Sequence, residues 1–357
     1  MKVLFIYRFL TTGGVEAVLR ARLDGMIGSG VEGYAWFLEQ IDGGAIFQGS
    51  AMDPYVGDLT RLAGHLRDNH YDVISVIDTP EVFSQLEQLP RSTKIVIEAH
   101  TPYLENLEYL RSLDGLPIAS IIVPSRFQAS LVNKRLKKKI PVEVVPNPLG
   151  TSFTSEPIDF EPKPPTPILA WIGRLDSLKN WRLAIKTASI LKQSDMRFEL
   201  WVAGRLVEPA ASHRLYQSAK RAGILDRLRW FENFPHVWIH RWLDAVRESG
   251  GVVLATSKGE SFGMSVAEAM ARRCPVVVPA EPPFNEFINH DVEGKLFRHG
   301  SAKKAAVEVE NFLRNRNHRL SCGIRARDRI LEHHQVKRAT ARWIETVMNS
   351  EPAIAAY

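Results

Sequence analysis

The sequence predicts an α/β protein made of two doubly wound parallel sheets in tandem, and three observations predict it. Short continuous apolar runs alternate with longer stretches of helical spacing, the pattern of strands buried on both faces beneath helices. The alternation stops at Glu-Pro-Ile-Asp-Phe-Glu-Pro-Lys-Pro-Pro-Thr-Pro, residues 156–167, and then starts again. At 357 residues the chain has room for two domains of ordinary size. The expected division is a first domain over 1–155, a proline-rich linker over 156–167 that can sustain neither helix nor central strand, and a second domain over 168–339.

The first half opens with the strand Lys2–Tyr7, after which Thr-Thr-Gly-Gly-Val-Glu turns the chain into a helix over Ala17–Met26. Gly13 and Gly14 let backbone approach a ligand closely, although a Gly-Gly turn is also an ordinary strand-to-helix connection. The dinucleotide fingerprint Gly-x-Gly-x-x-Gly is absent, which weakens a dehydrogenase reading. Further strands are expected at Gly33–Leu38, Tyr71–Ile77, Lys94–Glu98, Ala119–Val123 and Val142–Val145. In such sheets ligands bind beyond the C-terminal strand ends, and His100 falls at one of them, where an imidazole can bond a hydroxyl or a phosphate. Between Arg126 and Lys139 stand six basic residues, Arg126, Lys134, Arg135, Lys137, Lys138 and Lys139, and no acidic one. The run reads either as an attraction for anionic membrane or as the solvated face and end of a helix.

The second half repeats the alternation, with strands at Ile168–Ile172, Phe198–Ala203, Leu228–Phe231, Gly251–Ala255, Val276–Val278 and Gly294–Phe297. After the first of these comes Gly173-Arg174-Leu-Asp-Ser-Leu-Lys179-Asn180, ahead of a helix from Trp181. A forked guanidinium and a point ammonium at a strand's C-terminal end suit a diphosphate. Two cations at a helix start are unfavourable unless an anion lies between them. After the fourth strand, Ser257–Arg273 reads as polar loop and short helix leading to the next strand. With the helix starting near Phe262, Glu260 stays at its mouth and Glu268 lies about two turns along, roughly 10 Å away on a ~1.5 Å rise per residue. That is the reach of a sugar diphosphate joined to a ribose, and a helix start is an anion site. Carboxylates near a helix start are also what its dipole alone favours.

The pattern Ser-x-x-Glu-x-Phe-Gly, then Glu-Ala-Met-Ala-x-x-x-Pro-Val-Val, over Ser257–Val277 resembles the Glu-x7-Glu signature of the retaining family 4 glycosyltransferases. The resemblance implies the GT-B fold: two Rossmann-like domains with parallel sheets facing a central cleft, and a last helix, about 340–357, packed back on the first. It implies transfer of a sugar from a nucleoside diphosphate donor to a glycan, lipid-linked or small-molecule acceptor with retained configuration. In that reading Glu260 holds donor-sugar hydroxyls, Phe262 and Gly263 with Met264 and Ser265 offer backbone N–H groups near sugar and diphosphate, and Glu268 accepts from the ribose. Gly173, Arg174 and Lys179 form the diphosphate clamp, and Gly13, Gly14 and His100 face the donor from the other domain. No Asp-x-Asp occurs in the chain, so the resemblance implies no metal and no cofactor, the cations stabilising the leaving group instead. A sugar-nucleotide epimerase or hydrolase of the same fold, and a non-catalytic nucleotide-sugar-binding protein, stay open as alternatives.

Composition excludes other classes. With 45% hydrophobic and 24% charged residues the chain reads as globular rather than disordered. It has no apolar run of ~18 residues and no signal-peptide pattern, so a cytoplasmic protein is expected, peripheral to the inner membrane face if the basic run engages lipid. The net charge of +6 suits an anionic surface or acceptor, but no basic module interleaved with aromatics points to nucleic acid. Cys274 and Cys322 lack metal or redox spacing and read as reduced residues.

Overall fold

The computed structural model describes residues 1–351 apart from Ala51 and Asp114, so the part of the expected last helix over 352–357 lies outside the described residues. The chain divides into two compact units, one of Met1–Thr151 joined by the chain from His333 onward, the other Ser152–Glu332.

The first unit holds a seven-stranded sheet in the order β3-β2-β1-β4-β5-β6-β7. Its strands are β1 (Lys2–Leu10), β2 (Glu32–Gln40), β3 (Tyr55–Val56), β4 (Val73–Ile77), β5 (Lys94–Glu98), β6 (Ile118–Val123) and β7 (Val142–Val144). Every pairing is parallel. The central strands are buried on both faces, which is why they read as unbroken apolar runs. β3 was not expected from the sequence: two exposed residues at a sheet edge leave no run to detect. The helix expected from Ala17 starts at Gly14, because Gly13 takes the cap position and its carbonyl accepts from Ala17 N at 3.1 Å. The helix Val336–Asn349 lies along Gly14–Met26, so close that a Cβ on Gly25 would come within 2.3 Å of Thr340 Oγ1. Trp343 on that helix is fully buried, its ring centroid 5.0 Å from that of Phe5.

The second unit holds a six-stranded parallel sheet in the order β10-β9-β8-β11-β12-β13. These strands are β8 (Ile168–Ile172), β9 (Glu199–Gly204), β10 (Leu228–Glu232), β11 (Val252–Leu254), β12 (Val276–Pro279) and β13 (Lys295–Phe297). The proline-rich stretch runs along this unit's helix His236–Glu248: Ile158 N donates to Asp244 Oδ2 at 3.1 Å, and Arg247 Nη2 donates to the Ile158 carbonyl at 2.9 Å. Arg272, wholly buried, donates from Nε to Asp244 Oδ1 at 2.8 Å and from Nη1 to the carbonyls of Ser152 and Ser155 at 3.0 and 2.9 Å.

Each sheet reverses its strand order once, between β1 and β4 in the first unit and between β8 and β11 in the second. Loops diverge there, and the crevice beyond the C-terminal strand ends is where such sheets bind ligands. No helix among the described residues is long and apolar enough to cross a membrane.

Candidate active site

In the second unit the loops after β8 and β11 meet at the reversal point. The helix after β8, Trp181–Gln193, is entered through Asn180 in the left-handed conformation, φ 54°. Four hydrogen-bond contacts hold the loop after β11 to β8 and the loop after it. Lys258 N donates to the Leu178 carbonyl at 2.8 Å, Trp171 Nε1 donates to Thr256 Oγ1 at 2.9 Å, and that hydroxyl lies 2.9 and 3.0 Å from the carbonyls of Lys179 and Asn180. Behind them β8 and β9 approach so closely that a Cβ on Gly204 would sit 1.8 Å from the Gly173 carbonyl oxygen.

This framework brings Lys179 and Glu260 together: Lys179 Nζ donates to Glu260 Oε1 at 2.6 Å, and Ser257 Oγ donates to the same oxygen at 2.6 Å. Asp176 holds the other cation, accepting from Arg174 Nε at 3.0 Å through one oxygen and from Lys179 N at 2.7 Å through the other. The carboxylates of Asp176 and Glu260 thus supply, from within the protein, the anion that two cations at a helix start need. The Arg174 side chain remains 42% exposed against 20% for Lys179, so the guanidinium is the group open to an incoming anion.

The short helix after β11 begins at Met264 rather than near Phe262. Gly263 caps it at φ +99°, a left-handed conformation that a side chain resists, and a Cβ there would also meet Phe284 at 2.6 Å. Phe262 is buried against Phe287, centroids 5.2 Å apart, which fixes the turn before the cap. At such a start the first N–H groups, among them those of Met264 and Ser265, point out of the helix. Glu268 therefore lies one turn along instead of two, and it is buried: its Oε1 bonds His236 Nε2 at 2.9 Å. His236 opens the helix His236–Glu248 and packs on Phe153, centroids 5.3 Å apart.

In the first unit Gly13 and Gly14 end the loop after β1. Gly13 has an ordinary extended φ of −129°, and a Cβ there would lie 2.8 Å from Glu16 Oε2, so a larger residue would displace that carboxylate. His100 follows β5 and is nearly buried, its Nε2 bonded to Glu98 Oε2 at 2.9 Å. Beside it Asp78, after β4 with φ 40°, accepts from His100 N at 2.9 Å and from the Tyr109 hydroxyl at 3.1 Å. Burial pushes the Asp78 carboxyl up to about 6, although His100 and these hydrogen bonds oppose the rise. The basic run divides. Arg126 starts the helix Arg126–Asn133, and Arg135 Nε pairs with Glu108 at 3.0 Å. Lys134, Lys137 and Lys139 are exposed and Lys138 partly so, in the segment entering the N-terminal end of β7, opposite the strand ends that carry His100 and Gly13.

Residues 154–329 match the family described as glycosyl transferases group 1. The chain is similar to the human alpha-1,3/1,6-mannosyltransferase ALG2, 26% identical over 294 residues that make 75% of this chain and 70% of that protein. It is also similar to the D-inositol 3-phosphate glycosyltransferase of Kribbella flavida, 31% identical over 137 residues, 36% of this chain and 31% of that one. Among solved structures, HepE of Anabaena aligns with a TM-score of 0.81 at 17% identity, covering 98% of this chain and 99% of that one. The sucrose-phosphate synthase of Thermosynechococcus elongatus aligns with a TM-score of 0.79 at 14% identity, covering 97% and 98%. The fold is that of the GT-B glycosyltransferases, and the transferase segment contains Arg174, Lys179, Glu260 and Glu268 together.

The sequence does not single out four residues that the structure places beside candidate groups, three in the second unit and one in the first. Asp176 carries a readable signal, a side chain bonding the backbone N–H of the third residue on, as turn aspartates do. Ser257 stands inside the quoted motif at the right spacing to reach Glu260. His236 and Glu98 carry no such signal, since only the tertiary fold brings His236 to Glu268 and only the strand end brings Glu98 under His100.

Proposed function

We propose that this glycosyltransferase takes its sugar from a nucleoside diphosphate donor, retains the anomeric configuration and needs no metal. One observation carries the reading: the loops of β8 and β11 meet at the reversal point, where Lys179, Ser257 and Glu260 form a single hydrogen-bonded set just ahead of a glycine-capped helix start. Arg174, Lys179 and the N–H groups of that helix would stabilise the charge developing on the departing diphosphate. The bond from the anomeric carbon to the diphosphate oxygen breaks, the bond to the acceptor oxygen forms on the same face, and the acceptor proton passes to the leaving phosphate. HepE, solved with UDP-glucose, supports a donor of this class. In the first unit, His100 engages a substrate hydroxyl, and the exposed Lys134, Lys137 and Lys139, at the opposite end of the sheet, favour an anionic membrane surface.

The test is thermal denaturation with UDP, GDP, ADP and their sugar conjugates in EDTA. A ligand at 100 times its Kd adds about 2.7 kcal/mol to stability, a rise of several degrees. We expect one diphosphate to stabilise the protein, and its sugar conjugate to be consumed in EDTA only when an acceptor is supplied. Activity lost in EDTA and restored by manganese would overturn the metal-free mechanism, and donor turnover at the same rate without acceptor would favour an epimerase or hydrolase.

Glu268 meets a part of the donor that does not react, so Glu268→Ala should weaken the free diphosphate and the whole donor equally, by about 1.5 to 3 kcal/mol, raising KM rather than lowering kcat. His236→Ala, which removes the partner of Glu268 Oε1, should do the same by about 1 kcal/mol. Calorimetric titration of both variants with the diphosphate decides it, and undiminished affinity in Glu268→Ala refutes the ribose role.

A further inference from the structure

The carboxylate of Glu98 is wholly buried and saturated with donors. Its Oε1 accepts from Arg22 Nη1 at 2.7 Å, Ser75 Oγ at 2.8 Å and Trp343 Nε1 at 3.0 Å. Its Oε2 accepts from the same Arg22 nitrogen at 2.9 Å and meets His100 Nε2 at 2.9 Å. Burial alone would push this carboxyl up, but the Arg22 charge and the bond to His100 outweigh it and hold it at about 2. Glu98 is therefore ionised at any working pH and can only accept. It follows that His100 Nε2 is the donor and carries hydrogen. The other ring nitrogen, Nδ1, has no partner among the described residues. The backbone of His100 is held separately, by Asp78, so ring and main chain are fixed from two strands at once.

We propose that Glu98 is a positioning residue: it commits Nε2–H of His100 to a buried carboxylate and so presents Nδ1 as a hydrogen-bond acceptor to a substrate hydroxyl. This deepens the function proposed above, resting on its assignment of His100 to a substrate hydroxyl. A neutral imidazole has one donor and one acceptor nitrogen, so fixing the donor fixes the acceptor. The geometry points to a hydroxyl, which can donate to Nδ1, rather than to a fully ionised phosphate oxygen, which cannot. Ser75, which bonds only Oε1, shares the cluster without touching the ring and serves as the internal control.

The experiment is nitrogen NMR of the full chain labelled in histidine at pH 8.5, two units above the ordinary imidazole value of about 6.5, with His100 assigned by its loss in His100→Asn. In the wild type we expect the tautomer protonated at Nε2. In Glu98→Gln, whose amide can either donate or accept, we expect the Nδ1-protonated form to appear and kcat/KM to fall about tenfold. Ser75→Ala should keep the wild-type tautomer and most of the activity. A wild-type ring protonated at Nδ1 overturns the proposal without any variant. Equal losses of activity in Glu98→Gln and Ser75→Ala, with the tautomer unchanged in both, overturn it in favour of a packing role. Full activity in His100→Ala would instead remove the assignment of His100 on which the proposal rests, whatever tautomer the ring shows.

Discussion

Replacing Glu260 by alanine is expected to lower kcat about 100-fold while leaving affinity for the free nucleoside diphosphate nearly intact. In the function proposed above the carboxylate touches the sugar, where positive charge develops at the anomeric carbon, so its loss falls on the transition state; the scale, about 2.7 kcal/mol, is that of removing one preorganised electrostatic group. Because Glu260 also holds Lys179, the variant frees that ammonium, and binding of a bare diphosphate should hold or improve. Lys179→Ala should behave in the opposite sense, losing diphosphate affinity together with rate. Calorimetric binding beside steady-state kinetics separates the two. If Glu260→Ala loses diphosphate affinity while Glu268→Ala keeps it, the order of the two carboxylates along the donor is reversed.

The largest effect on stability is expected at Arg272, not at the site. It and Asp244 are both fully buried, and Arg272 also caps the carbonyls of Ser152 and Ser155. Removing one partner of such a pair leaves the other charged without compensation, at a cost of about 3 to 5 kcal/mol. Arg272→Ala should lose protection from hydrogen exchange in β11 and β12 by that amount, and Arg272→Met with Asp244→Leu should lose much less. A change under about 1 kcal/mol in the single variant would mean that water reaches the pair. Exchange is the right readout because a chain of two units need not unfold in one step.

Much of this fold is legible in the sequence because parallel strands buried on both faces leave uninterrupted apolar runs, as Val3–Ile6 and Val276–Val278 do. Exposed pieces leave nothing comparable, and Tyr55–Val56 shows the limit. The local part of the candidate site is legible too, since Glu260, Gly263 and Glu268 lie within one loop and helix. The start of that helix shifts from Phe262 to Met264 because a left-handed glycine cap cannot be told from a glycine inside the first turn by spacing alone. What stays hidden is contact between distant residues of ordinary type. The pair Lys179 and Glu260 lies 81 residues apart, and Trp343 donates to a carboxylate 245 residues before it.

That last bond bears on the order in which the protein can be completed as it is made. The first unit is not continuous in the chain: Phe5, Arg22 and Glu98 pack on Trp343, which arrives only after all of Ser152–Glu332 has been synthesised. At about 5–20 residues per second this is a wait of roughly ten to forty seconds. Throughout it the first unit lacks the indole that closes its core, and by its end the second unit has its whole sequence in hand. The ribosome therefore delivers the sequence of the second sheet whole while the N-terminal sheet is still unfinished, and docking of the helix Val336–Asn349 completes the older half last.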